Sequence, residues 1–368
     1  MTNAFYFDFG IGDKPDVPYV QLLPDTVYTS ERGYGFVNHA RVSSRDRGGA
    51  NRLQSAFCIP LDACFKADLP NGCYNVTVTI GDAITPTLTS LYYGTGRMVL
   101  NKLTTTAGQY AVHSFTVKIN NGQLSLSFSG VAPRINAIRI EETKQATTIY
   151  LAGDSTVTDQ DTFPYAGWGQ MLPLYFKQEI AIDNHAVSGR SSKSFIDEGR
   201  LDAILGDMKP NDYLWIQFGH NDQKSDAERA TSPFTTYKEH LQIYIDEARA
   251  RGAKPVLITS MHRRKFDEEG RIIDTHGDYL TAMRELAKEQ DVPLIDLAEK
   301  SKTLYEQLGD ESSKALFVWA YPGEFIAFPE GVKDDTHFQA EGAIQIARLV
   351  ADGVRELGLS PLDLYLRG

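Results

Sequence analysis

Long apolar runs are missing from this chain. No stretch approaches the ~18 consecutive apolar residues that cross a bilayer as a helix, so a helical membrane protein is not expected. Positive charge is scarce: 37 Lys and Arg stand against 48 Asp and Glu, a net charge of −11. That balance sets aside a general nucleic-acid binder and a polybasic membrane protein, while leaving room for a small basic site. Cysteine is limited to Cys58, Cys64 and Cys73. An odd count without CxxC spacing points to free thiols in a reducing compartment rather than a disulfide framework, with a Cys58–Cys73 bridge as the remaining option, and gives no cysteine metal set. The opening "MTNAFYFDFGIGDKPD" has neither the basic start nor the apolar core of a signal peptide. Cytoplasmic placement is therefore expected, with secretion the alternative for a chain shortened at its start. Repeats and low-complexity tracts are missing as well.

What is present falls into two grammars, in keeping with two domains for 368 residues. Residues 1–143 read as β-structure. "GCYNVTVTIGD" alternates and then turns, and "RINAIRIEE" reads as a strand. "HSFTVKINNGQLSLSFSG" holds two alternating runs around Asn120-Asn121-Gly122, a hairpin signal. Short strands without helical period predict a β-sandwich or jelly roll. Residues 144–368 alternate strands with helices. Apolar runs "TIYLAG", "IAIDNHAV", "DYLWIQFG", "KPVLITS" and "VPLIDL" are separated by helical patterns such as "YKEHLQIYIDEARARG", stopped at Gly252, and "YLTAMRELAKEQ". This pattern predicts a parallel sheet with right-handed crossovers and chemistry at the carboxyl ends of its strands.

Polar clusters fall at those ends. Gly153-Asp154-Ser155 follows the first strand, "NHAVSGRSS" with Gly189 the second, and "FGHNDQ" with Asn221 the third; "DDTHFQAEG" precedes the last helix. Each cluster alone is equally a turn or a helix cap. Together they hold what a serine esterase needs. Ser155 is the candidate nucleophile, His337 the base and Asp334 the orienting carboxylate, with Asp335 as the fallback. The N–H groups of Ser155 and Gly189 and the amide of Asn221 are the candidate oxyanion donors. Asp154 is read as a turn-holding residue. No cofactor or metal is required by such chemistry.

The ordered set Ser155, Gly189, Asn221, His337 resembles the SGNH, or GDSL-like, hydrolase superfamily over residues 147–357. The resemblance implies a flavodoxin-like three-layer α/β fold and Ser-His-Asp catalysis. "GDSTV", "GWGQ", "NHAVSGRSSKSFIDEGR", "QFGHNDQK", "DDTHF" and the loop "HRRKFDEEGRIIDTHGDYLTAMRELA" are similar to rhamnogalacturonan acetylesterases of carbohydrate esterase family 12. Thr156 replaces the leucine of the GDSL name. Residues 1–143 resemble the galactose-binding-like module that precedes some of these esterases. The expected partner is an acetylated oligo- or polysaccharide from pectin, with no nucleic acid or membrane. Trp168 could stack on a sugar, and His262, Arg263 and Arg264 could meet a uronic-acid carboxylate; Arg190 is a further candidate for substrate binding, or holds its loop by bonding backbone carbonyls. The alternatives are a lipase or thioesterase of the same superfamily, weakened by the lack of an obvious apolar lid, and a sugar-binding protein on a degenerate esterase scaffold.

Overall fold

The computed structural model describes residues 3–12 and 18–368. The chain divides between Ala146 and Thr147 into two compact units, with Phe176–Ala181 and Arg367 counted with the first.

The first unit is a β-sandwich. One sheet runs in the order Tyr110–Ile119, Gly72–Gly81, Ala137–Thr143, Ala4–Asp8, Val20–Gln21; the other runs Tyr34–Phe36, Ala63–Asp68, Gln123–Ala132, Thr87–Tyr93, Arg97–Thr105. Along Gly72–Gly81 the side chains of Tyr74, Val76, Val78 and Ile80 are buried and those between them less so, the period of two that a one-faced strand requires. Phe7, Phe36, Phe65, Tyr74, Phe115 and Phe128 share one core. Cys58, Cys64 and Cys73 are thiols, not disulfide-bonded.

The expected hairpin at Asn120-Asn121-Gly122 is not formed. The turn is there, with Gly122 at φ +76, but its two flanking strands belong to different sheets. Tyr110–Ile119 pairs with Gly72–Gly81, and Gln123–Ala132 pairs with Ala63–Asp68 and Thr87–Tyr93. Asn71 clasps the corner, accepting from Gly122 N and donating to Asn120 O. A turn motif specifies a reversal; which strands pair is decided by distant partners.

The second unit carries a five-stranded parallel sheet. Its strands in chain order are Thr147–Gly153, Ile180–Asn184, Tyr213–Gln217, Lys254–Ile258 and Leu294–Ile295, and in space they stand second, first, third, fourth, fifth. This is the flavodoxin-like order. The first strand is buried at six successive positions, Thr148 to Gly153, as a strand covered on both faces must be. Gly153 pairs with Gln217, so the first and third strands end level on one edge. Helix Lys238–Ala250 stops just before Gly252, whose φ of +71 fits the expected glycine stop.

One element departs from the expected helix–strand alternation. Phe317–Ala320 and Val332–Phe338 form an antiparallel pair ahead of helix Ala340–Glu356. Phe317 pairs with Phe338 but Trp319 pairs with Lys333, so two steps along one strand match five along the other. Asp334, Asp335, Thr336 and His337 therefore sit on a wide bulge, not on the first turn of a helix.

Gly342 lets helix Ala340–Glu356 touch backbone: a Cβ there would lie 1.9 Å from Leu316 O. Alanine is otherwise the better helix former. Gly342→Ala is expected to cost about 1–3 kcal/mol through overpacking, read as a lower urea midpoint with unchanged slope. A midpoint at or above the wild-type value would show that the helix simply shifts.

Candidate active site

The first strand ends at a turn that folds back on itself. Asp154 Oδ1 accepts from Thr156 N at 2.9 Å and Thr156 Oγ1 at 2.8 Å, and its carbonyl accepts from Val157 N and Thr158 N. A Cβ on Gly153 would lie 2.6 Å from Val157 Cγ2, so the tight fold needs glycine. The turn leaves Ser155 partly exposed between fully buried neighbours.

Ser155 Oγ lies 2.8 Å from His337 Nε2, and His337 Nδ1 lies 2.8 Å from Asp334 Oδ2. Asp334 Oδ1 accepts from the N–H groups of Thr336 and His337. Burial pushes the Asp334 carboxyl up, but the hydrogen bond and charge of His337, with these two N–H donors, outweigh it and hold the group below its ordinary value. An ionised carboxylate only accepts. His337 Nδ1 therefore carries the proton, and Nε2 presents a lone pair to the Ser155 hydroxyl. The fallback carboxylate, Asp335, faces elsewhere: its Oδ1 accepts from Arg264 Nε and Trp319 Nε1, both at 2.8 Å.

The second and third strand ends supply donors. Gly189 has φ +81, and a Cβ on it would meet nothing within 4 Å. Its backbone angle demands glycine, and the space beside it is open. Among the described residues, neither the Ser155 N–H nor the Gly189 N–H has an acceptor. Asn221 Nδ2 donates to Arg190 O at 3.1 Å, which ties the two loops together and leaves one amide hydrogen to give. Asp222 Oδ1 accepts from Ser192 N and Oγ and locks the same loops from below. An open cleft of about 550 Å³ begins at Gly189 and is lined by Arg190, Lys193, Asp197, Glu198 and Arg229.

Several expected substrate contacts are corrected by the structure. Trp168 is 1% exposed, and its Nε1 donates to Gln217 Oε1 at 2.7 Å. Gln217 in turn donates to Thr156 Oγ1, so Trp168 braces the serine turn and offers no face to a sugar. Arg264 is 5% exposed; it is bonded to Asp335 and Asp310 and lies over the Trp319 ring. His262 is buried, and burial pushes its basicity down. Arg263 is half-buried and donates to Thr275 Oγ1, Thr275 O and His220 O. Arg190 is partly exposed; it pairs with Glu198 and donates to Ser188 O, which leaves it at the cleft mouth. A basic run on a loop looks like surface, but these guanidinium groups are engaged by backbone carbonyls, a threonine hydroxyl and carboxylates distant in sequence, which no local pattern reveals.

Other neighbours of the site lie outside the sequence motifs. Tyr165 meets the His337 ring edge-on at 5.8 Å and Phe328 at 6.1 Å. Phe163, 74% exposed, meets Phe325 at 5.3 Å. Tyr321 and Ile326 are also exposed, so the structure does present an apolar shelf near His337, contrary to expectation. The only available signal was the aromatic content of "TFPYAG" and "YPGEFIAF".

The flavodoxin-like sheet, with a Ser155–His337–Asp334 line beside its carboxyl edge, defines an α/β hydrolase of the SGNH class. Residues 151–343 match the GDSL-like Lipase/Acylhydrolase family, and the chain belongs to that family and is an esterase. Residues 5–132 match the beta-agarase/YXIM esterase-like, galactose-binding domain-like family. The chain is 50% identical over 225 residues to rhamnogalacturonan acetylesterase RhgT of Bacillus subtilis, covering 61% of this chain and 95% of that protein. It is 29% identical over 376 residues to the uncharacterized esterase YxiM of the same organism, covering 97% and 92%. The crystal structure of the B. subtilis YxiM protein superposes with a TM-score of 0.52 at 28% identity, covering 97% of this chain and 99% of that one.

Two predictions follow from the buried charges. Burial pushes the Asp222 carboxyl up to about 7, and the Asp154 carboxyl, itself raised to about 6 by burial, adds to the effect. Between an unfolded carboxyl near pH ~4 and the folded value, the folded state holds the extra proton, so stability from this group is lost as pH rises toward 7. Asp222→Asn keeps the acceptor for Ser192 and removes the titration. Its melting temperature relative to wild type is expected to climb from about pH 4 to about pH 8, and a flat difference would sink the assignment. Arg263→Met, which frees His220 O beside Asn221, is expected to lower turnover of a small neutral acetyl ester as much as that of a saccharide ester. A loss confined to the saccharide would return Arg263 to substrate binding.

Proposed function

We propose that this esterase is a carbohydrate O-acetylesterase that removes acetyl groups from rhamnogalacturonan-derived saccharides. The observation that carries the catalytic reading is the continuous Ser155–His337–Asp334 hydrogen-bonded line. The substrate class is supported by the 50% identity to a protein named rhamnogalacturonan acetylesterase, which extends across nearly all of that protein.

On this reading the Ser155 hydroxyl attacks the acetyl carbonyl as its proton passes to His337 Nε2. Asp334 holds the ring through Nδ1–H and stabilises the imidazolium. Negative charge develops on the carbonyl oxygen, and the N–H groups of Ser155 and Gly189 and the amide of Asn221 are its proposed donors; losing one such donor costs on the order of 100–1,000-fold in rate. As the tetrahedral intermediate collapses, the C–O bond to the sugar breaks and His337 returns the proton to the departing sugar oxygen. Water then loses a proton to His337, attacks the acetyl-serine and releases acetate, which restores the Ser155 hydroxyl. Arg190, at the mouth of the cleft beside Gly189, is the group placed to meet an acidic sugar. The exposed Phe163 and Tyr321 offer faces for the apolar side of a sugar ring. The same shelf gives the lipase reading its one specific support.

Ser155→Ala is expected to lower kcat by at least roughly 10⁴-fold with an unchanged melting temperature, and an organophosphonate is expected to label Ser155. Asp334→Asn is expected to lose on the order of 10⁴-fold, while Asp335→Asn loses stability more than rate because it removes one of the two carboxylate charges held against the buried Arg264. Acetate release from acetylated rhamnogalacturonan, acetylated xylan and a long-chain acyl ester, measured side by side, tests the substrate. Preference for the long-chain ester would replace the saccharide reading with the lipase one. Label on another serine would remove the mechanism.

A further inference from the structure

Next to Asn221 lies a buried line of three imidazoles that the esterase chemistry does not use. His220 follows the third parallel strand, His262 follows the fourth, and His276 precedes helix Asp278–Glu289. All three are buried. His220 Nε2 lies 3.2 Å from Met261 Sδ, and His220 Nδ1 lies 2.7 Å from His276 Nε2.

The thioether fixes where the protons are. A methionine sulfur only accepts, so His220 Nε2 carries a hydrogen and donates to it. A neutral imidazole then has an unprotonated Nδ1, which must accept from His276 Nε2–H. His276 in turn is left with a bare lone pair on Nδ1. That atom is buried and has no hydrogen-bond partner, and the same is true of His262 Nδ1. The Asp274 carboxylate stands beside them, with Oδ1 3.9 Å from His262 Nδ1. It is held in place by N–H donors from His276 and Gly277 and is half-exposed to solvent. One ligand atom from each of His262, Asp274 and His276 falls within 4.8 Å of the others.

We propose that His262, Asp274 and His276 bind one divalent transition-metal cation of the zinc class. A cation is a partner that the two unpartnered, buried Nδ1 atoms and the adjacent carboxylate can share, with His262 in the tautomer that carries its hydrogen on Nε2. Two nitrogen donors select zinc-like ions over calcium or magnesium, which take oxygen ligands. A tetrahedral site with ligand distances near 2.1 Å separates its ligands by about 3.4 Å, so modest side-chain rotation closes the set. The solvent side, at Asp274, leaves a coordination position for water. The His276–His220 hydrogen bond is the outer-sphere contact that orients a metal-bound imidazole, and it leads to the residue next to Asn221. The cation therefore fastens the loop after the fourth strand to the loop before helix Asp278–Glu289 and steadies the Asn221 loop, without touching the ester. The Arg263 guanidinium, bonded to His220 O and Thr275, opposes cation binding, and the negative charge of Asp274 offsets it.

The test uses the full chain, purified without a histidine tag, stripped with EDTA and titrated with zinc chloride by calorimetry. One equivalent is expected to bind, to survive gel filtration as measured by elemental analysis, and to raise the melting temperature. Asp274→Asn, which keeps the acceptor for His276 N and Gly277 N, is expected to weaken binding by roughly 10-fold or more, and His276→Ala by roughly 100-fold. If His276→Ala does not fold, the visible absorption of the Co²⁺-loaded wild type, expected to report nitrogen ligands and to be weakened in Asp274→Asn, decides. Absence of stoichiometric zinc binding, or equal binding by wild type and Asp274→Asn, overturns the site and leaves a buried water between the two imidazoles. None of these readouts depends on esterase turnover.

Discussion

The 2.8 Å contact between Ser155 Oγ and His337 Nε2 joins residues 182 positions apart, and the local design of both partners serves it. On one side, the Asp154 turn lifts a single hydroxyl out of a strand end whose neighbours are buried. On the other, His337 and Asp334 must point to one side although they stand three residues apart in an extended segment. A regular strand sends such residues to opposite faces. The bulge between the Phe317–Phe338 and Trp319–Lys333 pairs removes that conflict. It lets one carboxylate accept from two backbone N–H groups and the imidazole together. The pair Asp335–Arg264, over Trp319, anchors the bulge from its other side. The doubled aspartate thus divides its work: Asp334 faces the histidine and Asp335 holds the segment that carries it.

The loops around Gly189 and Asn221 are fixed by a different device. Asp222 is fully out of solvent and bonds to Ser192 through one oxygen, while its second oxygen, like that of Asp154, has no partner. Burying carboxyls this way is costly, and their raised pKa values express the strain. What the arrangement secures is position. Asn221 is pinned to Arg190 O, and Ser192, two residues further on, is pinned to Asp222. The candidate oxyanion donors therefore belong to one braced unit and not to two independent loops. Such preorganisation is what electrostatic stabilisation of a developing oxyanion requires.

Much of this was legible in the sequence, and the boundary between legible and hidden has a physical basis. Buried strands and amphipathic helices write themselves into hydrophobic period, so the five parallel strands and helices such as Lys238–Ala250 were readable. The clusters at Ser155, Gly189 and Asn221 were readable because each follows a strand that must stop, and the Asp334–His337 cluster because it precedes the last helix. Partnership at a distance was not. Asn120-Asn121-Gly122 announced a reversal but could not say that its strands would join different sheets. "HRRK" announced charge but could not say that Arg264 would be enclosed by Asp310, Asp335 and Trp319. Trp168 looked like a sugar platform because aromatics serve both roles, and only burial separates them. The bulge was invisible, since register is a property of two segments and neither one contains it.

Enclosure of the basic loop changes where an acidic saccharide could be held. A chain with net charge −11 repels a polyuronide at long range unless its cleft is locally positive. With Arg263 and Arg264 committed to protein acceptors, the basic groups that line the cleft starting at Gly189 are Arg190, Lys193 and Arg229. Each is paired there with an acid: Arg190 with Glu198, Lys193 with Asp197, and Arg229 with Asp226. A carboxylate entering this cleft competes with partners that are themselves about one-third to one-half exposed. Exposed ion pairs of this kind are worth roughly 0–1 kcal/mol, so exchanging one acid for another costs little. Paired cations at a cleft mouth thus remain available to an anionic substrate, whereas the buried pair of Arg264 does not. On the proposed function, selection for acidic sugars rests on exchangeable surface pairs beside Gly189, and the buried guanidinium groups keep the loops that face them in place.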